Sequence, residues 1–293
     1  MRVFFLVTAW TLMVVGCPGC STNPATGRTQ INILSQNREI TLSRQAQAGF
    51  VDSYGGQIPS PQIQQYVASI GQRLAAVSER PGLPWAFRVV DSSAVNAFAL
   101  PGGQVFVTRG LLAKLDNEAQ LAGVLGHEIG HVTAQHIGQQ MTQQLLLQTA
   151  VIGVNLATEH SDHDWLRVLG IGAQAGGAVY LLKFGRDQEI EADTLGLRYM
   201  ARVGYSPIGQ LQVMQILEES SSQQTNQPKI LLTHPLPETR RRHLEKHIRE
   251  YYPDHQDPSH YRFNFDAFQA AVLDPIKTLD PPAAPVMVSH ESL

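Results

Sequence analysis

An α+β fold, mostly helical with one small antiparallel β-meander, is what the sequence predicts. Three observations predict it. Apolar residues recur at helical spacing through most of the chain. Three short runs rich in Val, Phe and Ala lie between residues 85 and 108, parted by turn residues. A glycine-containing helical stretch with two histidines four residues apart follows soon after, so the meander lies beside it. With 293 residues, 43% of them hydrophobic and 16% charged, the chain can bury one sizeable core. Its formal net charge of −3 supplies no electrostatic ground for nucleic acid as a partner.

Residues 1–16 join a basic start, Arg2, to an apolar run from Val3 to Val15 that is too short to span a bilayer, and read as a secretory signal peptide. Val14-Val15-Gly16-Cys17 resembles a bacterial lipobox, in which Cys17 is acylated and becomes the new N-terminus. Cys17 and Cys20 are the only cysteines, so the folded part has no disulfide framework and no thiolate metal site. Any metal must be held by His, Asp or Glu. Residues 17–35 are polar, with Pro24 and Gly27, and read as a tether to a folded domain over residues 36–252.

Gln36 to Phe50 and Gln62 to Val77 read as two packing helices, the second with Ile63, Tyr66, Val67, Ile70 and Leu74 at helical spacing and stopped by Pro81, Gly82 and Pro84. Trp85 to Asp91, Ala94 to Leu100 and Gln104 to Thr108 form the meander, with a tight turn at Pro101-Gly102-Gly103. Asp116 or Asn117 caps the next helix, LAGVLGHEIGHVTAQH, Leu121 to His136. Gly123, Gly126 and Gly130 each weaken it by about 1 kcal/mol relative to alanine, so tertiary packing must hold it. They also let another backbone approach closely.

On that helix His127 and His131 sit about 40° apart and face the same way, so that both imidazoles can grip one metal ion. Glu128 points to the side of the pair, where its carboxylate reaches a water on the metal without being a ligand. His136, five residues past His131, falls on another side of a continuous helix and is a poor ligand. Two histidines leave a catalytic zinc one protein ligand short. The helix predicted from Arg186 to Val203 carries Glu189, Glu191 and Asp193. Glu189 and Asp193, four apart, share a face, whereas Glu191 is turned about 200° from Glu189. Glu189 is therefore the expected third ligand, and Asp193 the expected acceptor behind the His127 imidazole. In a peptidase, the strand carrying Asn96, Ala97 and Phe98 can hold an extended substrate by backbone pairing.

The apolar stretches Leu145 to Ala157 and Leu166 to Leu182 read as a helical hairpin near this site, and Ser220 to Pro228 as a polar loop. A charged helix runs on to about Tyr252. Residues 253–293 read as a partly disordered extension with one short helix over Phe263 to Val272.

Four motifs, HEIGH (His127, Glu128, His131), EIEAD (Glu189 to Asp193), NAFALPGG (Asn96 to Gly103) and THPLPETR (Thr233 to Arg240), carry a family resemblance. Over residues 23–252 the chain resembles the gluzincin zinc metallopeptidases of the CAAX prenyl protease and HtpX type. It is most similar to their exported lipoprotein members of the BepA, LoiP and Oma kind. The resemblance implies a zincin-like domain holding one Zn2+ per chain, with Glu189 as the third ligand. It implies that His234 sits over the zinc, where it stabilises an oxyanion or occupies the fourth position and holds the enzyme closed, and that Arg240 supports the site. It also implies an endopeptidase acting on unfolded or misassembled envelope proteins from a periplasmic, lipid-anchored position, at the outer membrane. A latent protease serving mainly as a chaperone-like binder of unfolded envelope proteins is the alternative.

Overall fold

The computed structural model describes residues 20–152, 183–223, 228–236 and 238–282. In chain order its first elements are β1 (Cys20–Thr22), β2 (Thr29–Ile31), α1 (Gln36–Ser53), α2 (Pro61–Ala76), β3 (Ala86–Val90), β4 (Ala97–Leu100) and β5 (Gln104–Thr108). There follow α3 (Arg109–Leu112), α4 (Glu118–Thr133), α5 (His136–Ile152), α6 (Arg186–Arg202), α7 (Ile208–Gln223), α8 (Ile230–Thr233) and α9 (Glu238–Tyr251). A last helical stretch runs through α10 (Phe265–Phe268), a π-helical turn at Gln269–Leu273 and α11 (Asp274–Thr278). Mostly helical α+β is thus the observed class. Side chains set where the main helices start: Ser35, Ser60 and Asn117 each accept a hydrogen bond from a backbone N–H three residues on.

Ile63, Val67, Ile70 and Leu74 of α2 are fully buried and lay the helix across the sheet. At Gly71 the ring of Phe87 occupies the place of a side chain, 2.3 Å from where a Cβ would stand. The sheet corrects the expected meander. β4 and β5 form the antiparallel hairpin, with Gly102 and Gly103 at φ 81° and 102° in its turn. β3, however, pairs with β5 in parallel, giving the order β3-β5-β4. The reason lies in burial. Every residue of β5 is buried, so it takes two partners, while Ala86 and Arg88 of β3 are half-exposed and suit an outer position.

Two domain limits also change. The tether expected over residues 17–35 is, from Cys20 on, a packed hairpin: β1 and β2 pair antiparallel, and Asn23 and Leu34 are buried at 4% exposure. Asn23 folds the turn with its own side chain, accepting from the N–H groups of Ala25 and Thr26. At the other end, Phe268 and Val272 enter the main core, and Arg109 donates to the carbonyl of Asp280 at 2.5 Å. The expected extension over 253–293 thus packs on the folded body through its short helical part. Residues 1–19, including Cys17, and residues 153–182 of the expected hairpin over 145–182 lie outside the described residues; its start continues α5. Among the described residues no helix is long and apolar enough to cross a membrane.

Candidate metal centre

All 16 residues of α4 are buried, so the histidines lie inside the molecule and not on a solvated face. The helix is held there by close backbone contact with α6. A Cβ at Gly130 would stand 2.8 Å from the carbonyl oxygen of Ala192, and one at Gly126 would stand 3.2 Å from Cα of Gly196. This approach brings Glu189 and Asp193 of α6 against His127 and His131.

Four donors converge. Nε2 of His131 lies 3.1 Å from Nε2 of His127, and Nδ1 of His234 lies 3.3 Å from the same atom. Oε1 of Glu189 is 3.4 Å from Nε2 of His131 and 2.9 Å from Nδ1 of His234. One atom from each of the four side chains falls within 4.8 Å of all the others. Around a tetrahedral zinc with bonds of about 2.0–2.1 Å, neighbouring donors stand about 3.3 Å apart, and these spacings bracket that value. The donor chemistry fits as well. Burial pushes His131 well below the usual histidine pKa, which keeps it neutral and able to offer a lone pair. Burial alone would raise the Glu189 carboxyl, but His234, Arg240 and hydrogen bonds from His131 and His234 hold it well below the carboxylate range.

Glu128, also buried, stands at the rim of this group. Among the described residues its Oε1 has no hydrogen-bond partner, and it lies 3.7 Å from Nε2 of His234. Burial pushes its carboxyl up, opposed by the imidazoles of His234 and His127 close by. A cavity of about 40 Å³, walled by His127, Glu128, His234, Val124, Val213 and Met214, adjoins it. That is room for a water molecule.

Asp193 lies against His127, with Oδ1 2.8 Å from Nδ1 of the ring. Arg240 of α9 donates to Asp193 from both Nε and Nη2, contacts Oε2 of Glu189, and donates from Nη1 to the carbonyl of Pro235. One guanidinium thereby joins both carboxylates to the segment that carries His234. Burial would raise the Asp193 carboxyl, but the charge of Arg240 and the contact with His127 hold it low.

Two residues were not legible as parts of the site. Phe184 lays its ring over His131, with centroids 4.0 Å apart, and its N–H donates to the carbonyl of Thr233 beside His234. His136, set aside above as lying on another side of one long helix, starts a new helix and touches the ring of His131. No local signal gave this away, since Ala134 and Gln135 are both good helix formers and the break lies in the left-handed turn at Gln135. Glu191, turned away from the donors as expected, reaches Nε2 of His136 at 3.4 Å. Asn96 precedes β4, buried, with Nδ2 donating to the hydroxyl of Tyr54. Ala97 is buried and Phe98 stacks on Phe106, in a strand that packs beside α4.

Residues 61–248 match peptidase family M48. A beta-barrel assembly-enhancing protease of Yersinia pestis is 35% identical over 187 residues, which is 62% of this chain and 38% of that protein. The beta-barrel assembly-enhancing protease of Escherichia coli K12 is 32% identical over 215 residues, 70% of this chain and 44% of that protein. The mitochondrial metalloendopeptidase OMA1 of Danio rerio is 31% identical over 247 residues, 78% and 50% respectively. The chain thus spans half or less of the length of these relatives. The matched span runs from the start of α2 into the last turn of α9 and encloses every donor described above, and the chain belongs to peptidase family M48.

Proposed function

We propose that this chain is a zinc-dependent endopeptidase of the bacterial cell envelope that hydrolyses unfolded or misassembled envelope proteins. The observation that carries this is the convergence of His127, His131 and Glu189 at zinc-ligand spacing, with the buried carboxylate of Glu128 beside them. Zinc bound by these three residues supplies Lewis acidity and lowers the pKa of a coordinated water to about 7. Glu128 takes the proton of the attacking water and passes one to the leaving amine. Asp193 keeps the His127 ring oriented, with Arg240 fixing Asp193 in turn. The strand Asn96, Ala97 and Phe98, beside α4, holds the substrate extended. Both bacterial relatives named above are beta-barrel assembly-enhancing proteases, which supports an envelope substrate. The signal segment and Cys17 support export and lipid anchoring, at the outer membrane.

The test is cleavage of casein by the purified protein, with and without a chelator, beside Glu128→Gln. The variant is expected to keep its zinc and lose about 10²–10⁴-fold in rate. Cleavage at the parental rate would refute Glu128 as the base.

A second reading rests on His234. Its Nδ1 stands among the donors, 2.9 Å from Glu189 and 3.3 Å from His127, where it would compete with a substrate or water for a bound metal. That position favours a resting state closed by His234, in which the protein binds unfolded chains before it cuts them. The other role for the same imidazole, steadying the charge that develops on the substrate oxygen, predicts the opposite outcome on its removal.

A further inference from the structure

His131 has a partner of its own, distinct from the acidic one behind His127. α4 ends at Thr133, and Gln135 takes a left-handed turn at φ 57°. The turn brings His136, first residue of α5, back against the His131 ring, edge to face with centroids 5.0 Å apart. His136 is 1% exposed, so both of its ring nitrogens need partners inside the protein. Nδ1 lies 3.0 Å from Nδ1 of His131, and Nε2 lies 3.4 Å from Oε2 of Glu191. Oε1 of Glu191 in turn accepts from Nδ2 of Asn23 at 3.2 Å, in the hairpin near the N-terminus.

These contacts admit one placement of protons. His131 presents Nε2 to the donor cluster, so a metal there takes that lone pair and the ring proton sits on Nδ1. Nδ1–H must then donate to His136, whose Nδ1 accepts and whose own proton lies on Nε2, directed at the Glu191 carboxylate. We propose that His136, held by Glu191 and Asn23, is the positioning residue that fixes the tautomer and angle of the metal ligand His131. The two ligand imidazoles are thus steadied differently, one directly by a carboxylate and one through a second imidazole. The N-terminal hairpin becomes part of the metal site's support.

The inference rests on His131 being a zinc ligand, as proposed above, but its test does not use cleavage. Zinc affinity is measured on the full chain by competition with a chromophoric chelator, for the parent, His136→Leu, His136→Asn and Glu191→Gln. Loss of a partner behind a ligand imidazole weakens metal binding by about 10–100-fold, and His136→Leu is expected to fall in that range. His136→Asn keeps an acceptor oxygen at the place of Nδ1 and is expected to recover most of the loss, with Glu191→Gln intermediate. Thermal unfolding of the zinc-free proteins separates affinity from folding. Parental affinity in His136→Leu, or equal losses in His136→Leu and His136→Asn, would overturn the proposal. A parent that binds no zinc would sink the metallopeptidase assignment along with it.

Discussion

Arg240 grips Asp193 through two hydrogen bonds of 2.8 Å, from Nε to Oδ2 and from Nη2 to Oδ1, with both residues buried. Paired charges of this geometry are strong because the guanidinium fork matches the carboxylate. The pair joins α9 to α6, and the same Oδ1 lies against Nδ1 of His127. One salt bridge therefore serves packing and metal binding together.

Asp193→Asn keeps the volume and removes the charge. Zinc affinity is expected to fall by about 10–100-fold, because His127 loses its anionic acceptor. The zinc-free protein is expected to lose about 1–3 kcal/mol, because Arg240 keeps Glu189 but loses one of its two buried counter-charges. Chelator competition and urea unfolding read the two effects separately.

Gly130→Ala sets helix propensity against space. Alanine favours a helix by about 1 kcal/mol over glycine, yet its Cβ would press on the Ala192 carbonyl oxygen at 2.8 Å. Overpacking costs about 1–3 kcal/mol, so a net loss of stability is expected. Displacement of α6 also moves Glu189, so the variant is expected to retain less zinc after dialysis than Gly126→Ala, where the contact is 3.2 Å.

His234→Ala removes the fourth donor of the closed arrangement. Casein cleavage per bound zinc is expected to rise above that of the parent, while zinc dissociates faster. A rate lower by about 10²–10³-fold would instead restrict His234 to stabilising the oxyanion.

Glu128 gives a pH signature in the presence of a chelator. Burial raises its folded-state pKa above the unfolded value, so the folded parent favours the protonated carboxyl and loses stability as pH rises through that interval. Glu128→Gln does not titrate. The zinc-free variant is expected to be more stable than the zinc-free parent at neutral pH, with the gap closing as pH falls below the ordinary glutamate value of about 4.3. Calorimetry across pH with the chelator present checks this.

The donors were legible because helical geometry leaves little choice. His127 with His131, and Glu189 with Asp193, are pairs four apart, and each pair has only one face to share. The Asn117 cap and the glycines of α4 were readable for the same local reason. What escaped depends on contacts distant in sequence. β5 rather than β4 takes the middle of the sheet because its full burial demands two partners, which the turn at Pro101-Gly102-Gly103 does not reveal. Polar composition around Asn23 suggested a tether, whereas its amide is spent on the turn, on Ala134 and on Glu191. The short helix expected over Phe263 to Val272 was legible, but that Phe268 and Val272 enter the main core, with Phe268 against Tyr66 of α2, was not. His136 was misplaced by assuming a continuous helix past Thr133.

X-ray absorption at the zinc edge, with metal analysis, on the purified full chain and on Glu189→Ala, tests the central claim most directly. One zinc per chain is expected in the parent, with a shell of nitrogen and oxygen donors at about 2.0–2.1 Å, and substantially less metal in the variant. A parent without stoichiometric zinc, or a variant that holds zinc as the parent does in an unchanged shell, would contradict it.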